Sequence, residues 1–338
     1  MPPESLPGFG GIKMEHAKFV DWEWLVGVVI LSLTFLMALA FPITGTFVLI
    51  FAPGITAYYL ARLGRVKGTL VLVVSLLIGE GVGKTMGIAD TLFLSILGVM
   101  GVILYEMLKK NFAIEKTILG TTGITLAVIL CVIAVESIFS NLSPDTIIMR
   151  YITDNITESL RISQHMVPES EKLAQLRENL PVISRWIMYL APALLGVGIA
   201  FIIWVDIILL RPIFALRGLA FPSLGNLTTW KAPEGIVWVL IASGFLVLIL
   251  PLVGIKETCT MVIGMNGLIV SLFVYFLQGV AVVEYFFRSR SVPQIFRMIF
   301  YLLLVLQQYL VLIVALMGLF DLWIDWRKPR KEKDSEED

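Results

Sequence analysis

Glu80 and Lys84 stand one helical turn apart in the run GTLVLVVSLLIGEGVGKTMGIAD, among Gly79, Gly83 and Gly87 at four-residue spacing. On a helix, Glu and Lys at i and i+4 can neutralise one another. Glycines at the same interval leave a smooth face that a second helix can approach closely. Ionisable groups in an apolar stretch are costly and often functional, so the pair points to capture of a small anionic solute, with Asp90 just beyond it. A second reading ends the helix near Gly79 and leaves Glu80, Lys84 and Asp90 in a hydrated loop. Either way these residues lie near the outer face of a membrane, where a solute would enter. The string GEGVGKT also suggests a nucleotide phosphate loop, but that pattern needs Gly five positions before the Gly-Lys pair, and Ile78 stands there.

Other polar side chains in apolar runs are Glu106, Glu136, Asp206, Asn266, Gln278, Glu284, Gln307 and Gln308. Glu106, Asp206 and Glu284 each precede a basic residue by about one turn and can pair with it at an interface. Glu136 and Asn266 lack such a neighbour, and Glu136 joins Glu80, Lys84 and Asp90 as a candidate ligand group. Asp321 and Asp325 share a helical face and could touch a cation, but two aspartates are too few for a metal site. Cys131 and Cys259 have no CxxC spacing, and His16 and His165 are expected on opposite sides of the membrane. Neither a metal cluster nor a Ser-His-Asp triad can be assembled from these parts. The chain reads as a non-enzyme with no cofactor.

The elements that must position these groups are set by composition. Hydrophobic residues make up 58% of the chain and charged residues 15%, against about 25% charged in soluble domains. Nine runs are apolar on every face and long enough to cross a bilayer: 24–41, 44–61, 69–88, 91–108, 117–139, 187–210, 235–253, 259–287 and 298–324. A bilayer core of about 30 Å takes about 20 helical residues, whereas transmembrane strands would alternate in polarity. The predicted fold is an all-α polytopic transmembrane bundle of about eight to nine membrane helices.

Basic residues gather in alternate loops, at Arg62, Arg65 and Lys67, at Lys109, Lys110 and Lys116, at Arg211, Arg217 and Lys231, and at Arg288, Arg290 and Arg297. The positive-inside rule places those loops in the cytoplasm. The layout is then a cytoplasmic segment 1–21, a five-helix membrane region 22–139, an extracytoplasmic helical insertion 140–186, membrane helices 187–326 and a charged tail 327–338. The side on which the tail lies stays open. In the insertion, Ile148, Ile152, Ile156 and Leu160 form an apolar stripe between charged residues, as in a helix lying on a membrane surface. Tryptophans 22, 24, 186, 230, 238, 323 and 326 fall mostly at run ends and read as interfacial anchors.

The final third carries Trp230, Pro233 and Glu234, then Asn266, then Leu277-Gln278-Gly279, then GLFDLWIDWR from Gly318 to Arg327, including Asp321 and Asp325. In these residues the chain resembles the YybS-like family of uncharacterised bacterial membrane proteins. That family's core is distantly similar to the substrate-binding S components of energy-coupling factor transporters and to a cell-shape membrane protein. S components dock a coupling subunit through small-xxx-small faces; the counterpart here is Ala57-Tyr58-Tyr59-Leu60-Ala61. The resemblance implies a location in the bacterial inner membrane.

Two functions follow as expectations: the substrate-binding subunit of a small-molecule uptake system, or a non-transporting scaffold that organises envelope proteins. The partners are the lipid bilayer and either a coupling membrane subunit or envelope proteins. Lys/Arg and Asp/Glu both total 26, so no net charge draws the chain to nucleic acid.

Overall fold

The computed structural model describes residues 21–82, 88–166, 171–222, 227–254, 257–324 and 326–327. Its helices are α1 (Trp22–Ala40), α2 (Pro42–Leu49), α3 (Ala52–Val82), α4 (Ile88–Lys109), α5 (Ile114–Ser140), α6 (Pro144–Met166), α7 (Glu171–Glu178), α8 (Leu180–Leu216), α9 (Ile236–Gly244), α10 (Thr258–Ser289), α11 (Gln294–Leu306) and α12 (Gln308–Ile324). No described residue lies in a strand. A chain this apolar can satisfy its backbone groups in lipid only within helices, and the protein is an all-α polytopic membrane bundle.

Five described helices are long and apolar enough to span a bilayer: α1, Thr91–Lys109 of α4, α5, α8 and α10. Helices α11 and α12 pass the same test together, bent by 109°, which makes a sixth. The expected count of eight to nine is higher, and the surplus lies where apolar runs are interrupted. Run 44–61 is divided between α2 and the start of α3 by a break at residues 50–51. Run 69–88 begins inside α3, beyond a reversal at Gly64. Run 235–253 becomes α9, 9 residues long, continued by a 5-residue π-helical turn, Phe245–Ile249.

The described chain falls into two compact units, one comprising residues up to Tyr105 with Ile208–Ala220, the other Glu106–Ile207 with Phe221 onward. The first is organised by Gly64, whose φ of 81° and ψ of 169° suit glycine and split α3 into limbs 52–63 and 65–82. The limbs lie side by side: a Cβ on Gly68 would come within 2.6 Å of the Leu60 Cα. Both hold α1. In the first limb the Tyr59 ring covers Gly27 and Arg62 pairs with Glu23 at 2.7 Å. In the second, Lys67 pairs with Asp21 at 2.7 Å and the Ser75 hydroxyl donates to the Val28 carbonyl at 3.2 Å. Helix α4 lies across the two limbs, with Gly98 against Leu72 and Gly101 against Pro53 and Thr56. Near the end of α8, Phe214 meets Tyr58 edge to face, ring centres 6.1 Å apart.

In the second unit α6 packs on α5 and α7. Ile147 and Leu160 are buried and Ile148, Ile152 and Ile156 half-buried, so the stripe read from sequence is the packed side. Helices α8 and α10 are pinned by Asn266. Its Oδ1 accepts from the Ala193 N–H at 3.0 Å, and its Nδ2 donates to the Tyr189 carbonyl at 2.9 Å. An undisturbed helix would join those two backbone groups to each other. Pro192 sits in that turn of α8, where a proline loosens the ladder; the amide of Asn266 bridges the opening.

Candidate functional site

Helix α10 is covered by different partners along its length. Toward its start, Gly264 lies against Ser243, Leu246 and Val247, and Gly267 against Ser243, all from α9 and its π-helical continuation. Toward its end, α12 runs antiparallel to it. A Cβ on Gly279 would strike the Val314 carbonyl and one on Gly318 would strike the Tyr275 carbonyl, so the two backbones touch. Glycine alone permits an approach that close. Helices α9 and α12 are both short, and Ile236 of the one and Ile324 of the other end near the middle of α10. A 3-10 turn, Leu227–Thr229, and the extended residues after it lie against α10 there.

Several buried polar side chains of the unit converge at this junction. Gln278 and Asp321 are 0% exposed and Arg327 is 8% exposed. The Arg327 guanidinium donates through Nη1 to the carbonyls of Thr228 at 3.1 Å and Trp230 at 2.7 Å. Through Nη2 it is paired with Oδ2 of Asp321. The same carboxylate oxygen accepts from Gln278 Nε2 at 3.0 Å, and Gln278 Oε1 accepts from the Ala232 N–H at 3.0 Å. Trp230 closes the group by donating its indole N–H to Glu115 of α5 at 2.6 Å. Charge-assisted bonds of this kind are about twice as strong as neutral ones. Two buried atoms of the ion pair, Asp321 Oδ1 and Arg327 Nε, have no hydrogen-bond partner among the described residues. On the face of α10 leading away from Gln278, the buried hydroxyls of Tyr275 and Ser271 are likewise unpaired among the described residues.

Four of the residues singled out in the final third are thus brought together: Trp230, Gln278, Asp321 and Arg327, with Gly279 supplying the helix contact beside them. Pro233 is exposed in the same connection, and Asn266 serves the separate bridge to α8. Asp325 lies outside the described residues. Trp230, read from sequence as an interfacial anchor, is half-buried and gives its indole N–H to Glu115. Glu115 was missed: it opens α5 beside Lys116 and looks like an ordinary first-turn acid. The Arg327 to Asp321 pairing, six residues apart, was hidden because no helical spacing joins them; the chain must leave α12 and turn back.

Most of the first-ranked ligand group lies outside the described residues. Glu80 is exposed on α3. Lys84, Gly83 and Gly87 lie outside the described residues, and of Asp90 only the helical backbone of α4 is described. Gly79 is buried and faces Phe35 of α1, 4.0 Å from its Cβ position. Glu136 forms an ion pair with Arg150 at 3.0 Å, tying α5 to α6. Ala57 is fully buried within its own unit and Ala61 half-buried. Glu284 accepts from Arg288 at 2.7 Å, as the spacing implied, and also from Arg297 at 3.4 Å and the Tyr301 hydroxyl at 2.9 Å. That cluster fastens α11 to α10.

A family profile described as "Predicted membrane protein (DUF2232)" matches residues 29–322. It takes in the crossing of α10 and α12 and every bonded side chain of the junction except Arg327. No curated protein and no solved structure matches the chain.

Proposed function

The chain belongs to the DUF2232 family of predicted membrane proteins, and from that premise we propose that it is the solute-binding subunit of a small-molecule uptake system. One observation carries this reading. Two short helices end against the middle of a long membrane helix, and a buried ion pair with unpaired polar atoms sits where they meet. Interrupted helices whose ends meet in the membrane are where transporters build solute sites. Buried ionisable residues in membrane helices mark such sites more often than they serve packing alone. The site therefore moves from the Glu80 and Lys84 region to Asp321, Arg327, Gln278 and Trp230.

The resemblance of this segment to the YybS-like family, and more distantly to S components of energy-coupling factor transporters, supports the same reading and an inner-membrane location. Energy then comes from a separate coupling subunit, and the protein itself is not an enzyme. The second reading, a scaffold for envelope proteins, draws support from Gly123 on α5, which is exposed with nothing within 4 Å of its Cβ position; a partner helix can approach closely at such a place.

Gentle purification followed by mass spectrometry separates the two. A membrane coupling subunit and a small molecule that disappears from the Asp321→Asn protein are the expected result. Wall or division proteins alone, with no small molecule, would replace transport by the scaffold.

A further inference from the structure

The Arg327 side chain occupies a cage made only of acceptors: the Asp321 carboxylate and the carbonyls of Thr228 and Trp230. We propose that this cage is a binding site for a small organic cation of the guanidinium type, and that Arg327 is its tethered occupant, exchanged for the solute. The inference deepens the solute-binding reading above and rests on it.

The arrangement of acceptors selects the ligand. Two carbonyls take one terminal nitrogen and a carboxylate takes the other, which is the planar fork a guanidinium presents and an ammonium does not. Charge selects it again. Asp321 is 0% exposed, and a carboxylate stripped of its partner in that setting is strongly unfavourable. Whatever displaces Arg327 must therefore be a cation, which excludes anions and neutral solutes.

Two features mark Arg327 as replaceable. Its fit is incomplete: Nε and the facing carboxylate's Oδ1 are both buried and unbonded, and a partly satisfied network gains from an occupant free to reorient. Its attachment is also separate from the helix, because Arg327 lies in the turn after α12 ends at Ile324. The side chain can withdraw while Asp321 and the crossing of α10 and α12 stay in place.

The test uses methylguanidinium chloride as probe, with methylammonium and acetate as comparators, followed by thermal unfolding of the full-length protein in detergent. A tethered side chain competes at an effective concentration in the millimolar range. Methylguanidinium should therefore stabilise both the native protein and Arg327→Gln saturably, with half-saturation at least about tenfold lower in the variant. Methylammonium should act more weakly and acetate not at all. Asp321→Asn combined with Arg327→Gln should abolish the response. A response in the single variant but none in the native protein would make Arg327 a fixed lock and overturn exchange. No response in either, or an undiminished one in the double variant, would overturn the cage. If Arg327→Gln does not fold, the native protein against Asp321→Asn decides by the same criterion. Purification of a transported solute of another charge class would sink this assignment while leaving the transport reading intact.

Discussion

Asp321 and Arg327 show what a buried pair does to the cost of mutation. Removing one partner leaves the other charged and enclosed, which costs about 3–5 kcal/mol, whereas apolar replacement of both is often close to neutral. Asp321→Ala should therefore lower stability by about that amount, and Asp321→Leu with Arg327→Leu by much less, in denaturant titrations of the detergent-solubilised protein. Equal losses in the two would show that the pair is not coupled. Trp230→Phe keeps the ring but deletes the donor to Glu115; a bond to a charged group contributes about 1.5–3 kcal/mol, and Glu115→Gln in the same background should add little. At this scale the sequence was half legible. Gln278, Asp321, Arg327 and Trp230 stood out as residues that carry the YybS-like resemblance, without a role, and nothing in their spacing told which pairs meet. That depends on a turn after α12 and on a connection folded against α10. Glu80 and Glu136 stood out as charges in apolar runs, which an exposed helix end or an ion pair such as that with Arg150 explains equally well.

Helix pairs obey the contacts of their backbones. At Gly279 and Gly318 the chains of α10 and α12 touch, so Gly279→Leu must push them apart and carry Gln278 away from Asp321. A loss of at least about 2 kcal/mol is expected from overpacking of this kind, together with a weaker hold of Gln278 on the Ala232 N–H, readable as faster exchange of the Ala232 amide. Gly264 and Gly267 act likewise toward α9, and the three helices α9, α10 and α12 form one assembly. Helix α6 gives a contrasting case at a polar end. The Ser143 hydroxyl, followed by the backbone N–H groups of Asp145 and Thr146, holds the Asp145 carboxyl below its ordinary value. A carboxyl lowered in the folded state supports its turn fully above the unfolded value of about 3.9 and loses that support as pH falls through the lower folded value. Protection of the Thr146 amide, taken relative to the intrinsic exchange rate at each pH, should be constant between neutrality and about pH 5 and should fall in stronger acid. The stripe of α6 could be read from four isoleucine and leucine positions. The break between α11 and α12 could not, because Gln307 and Gln308 interrupt an otherwise uniform run without proline or glycine.

The molecule as a whole is defined by lipid. Exposed Leu119, Leu130, Ile138 and Phe139 on α5 alone would form an apolar face that water does not tolerate at that size, so extraction should require detergent, and removal of detergent should precipitate the protein rather than yield a compact monomer. Apolar run length made the class of fold plain, since backbone satisfaction in a bilayer leaves few alternatives. It overstated the number of spans because hydropathy records only composition. The break at residues 50–51 and the π-helical turn after α9 occur inside sequence that is apolar throughout, whereas the reversal at Gly64 falls among Arg62, Arg65 and Lys67, where a loop was expected.

The first unit draws its pieces from two distant stretches of the polypeptide: everything up to Tyr105, then Ile208–Ala220. Zipping of the α3 limbs onto α1 can begin as soon as they leave the ribosome, but Phe214, which closes against Tyr58, is synthesised roughly a hundred residues later, on the order of 5–20 s at ordinary elongation rates. During biogenesis, then, the earliest-made helices wait with one aromatic flank bare.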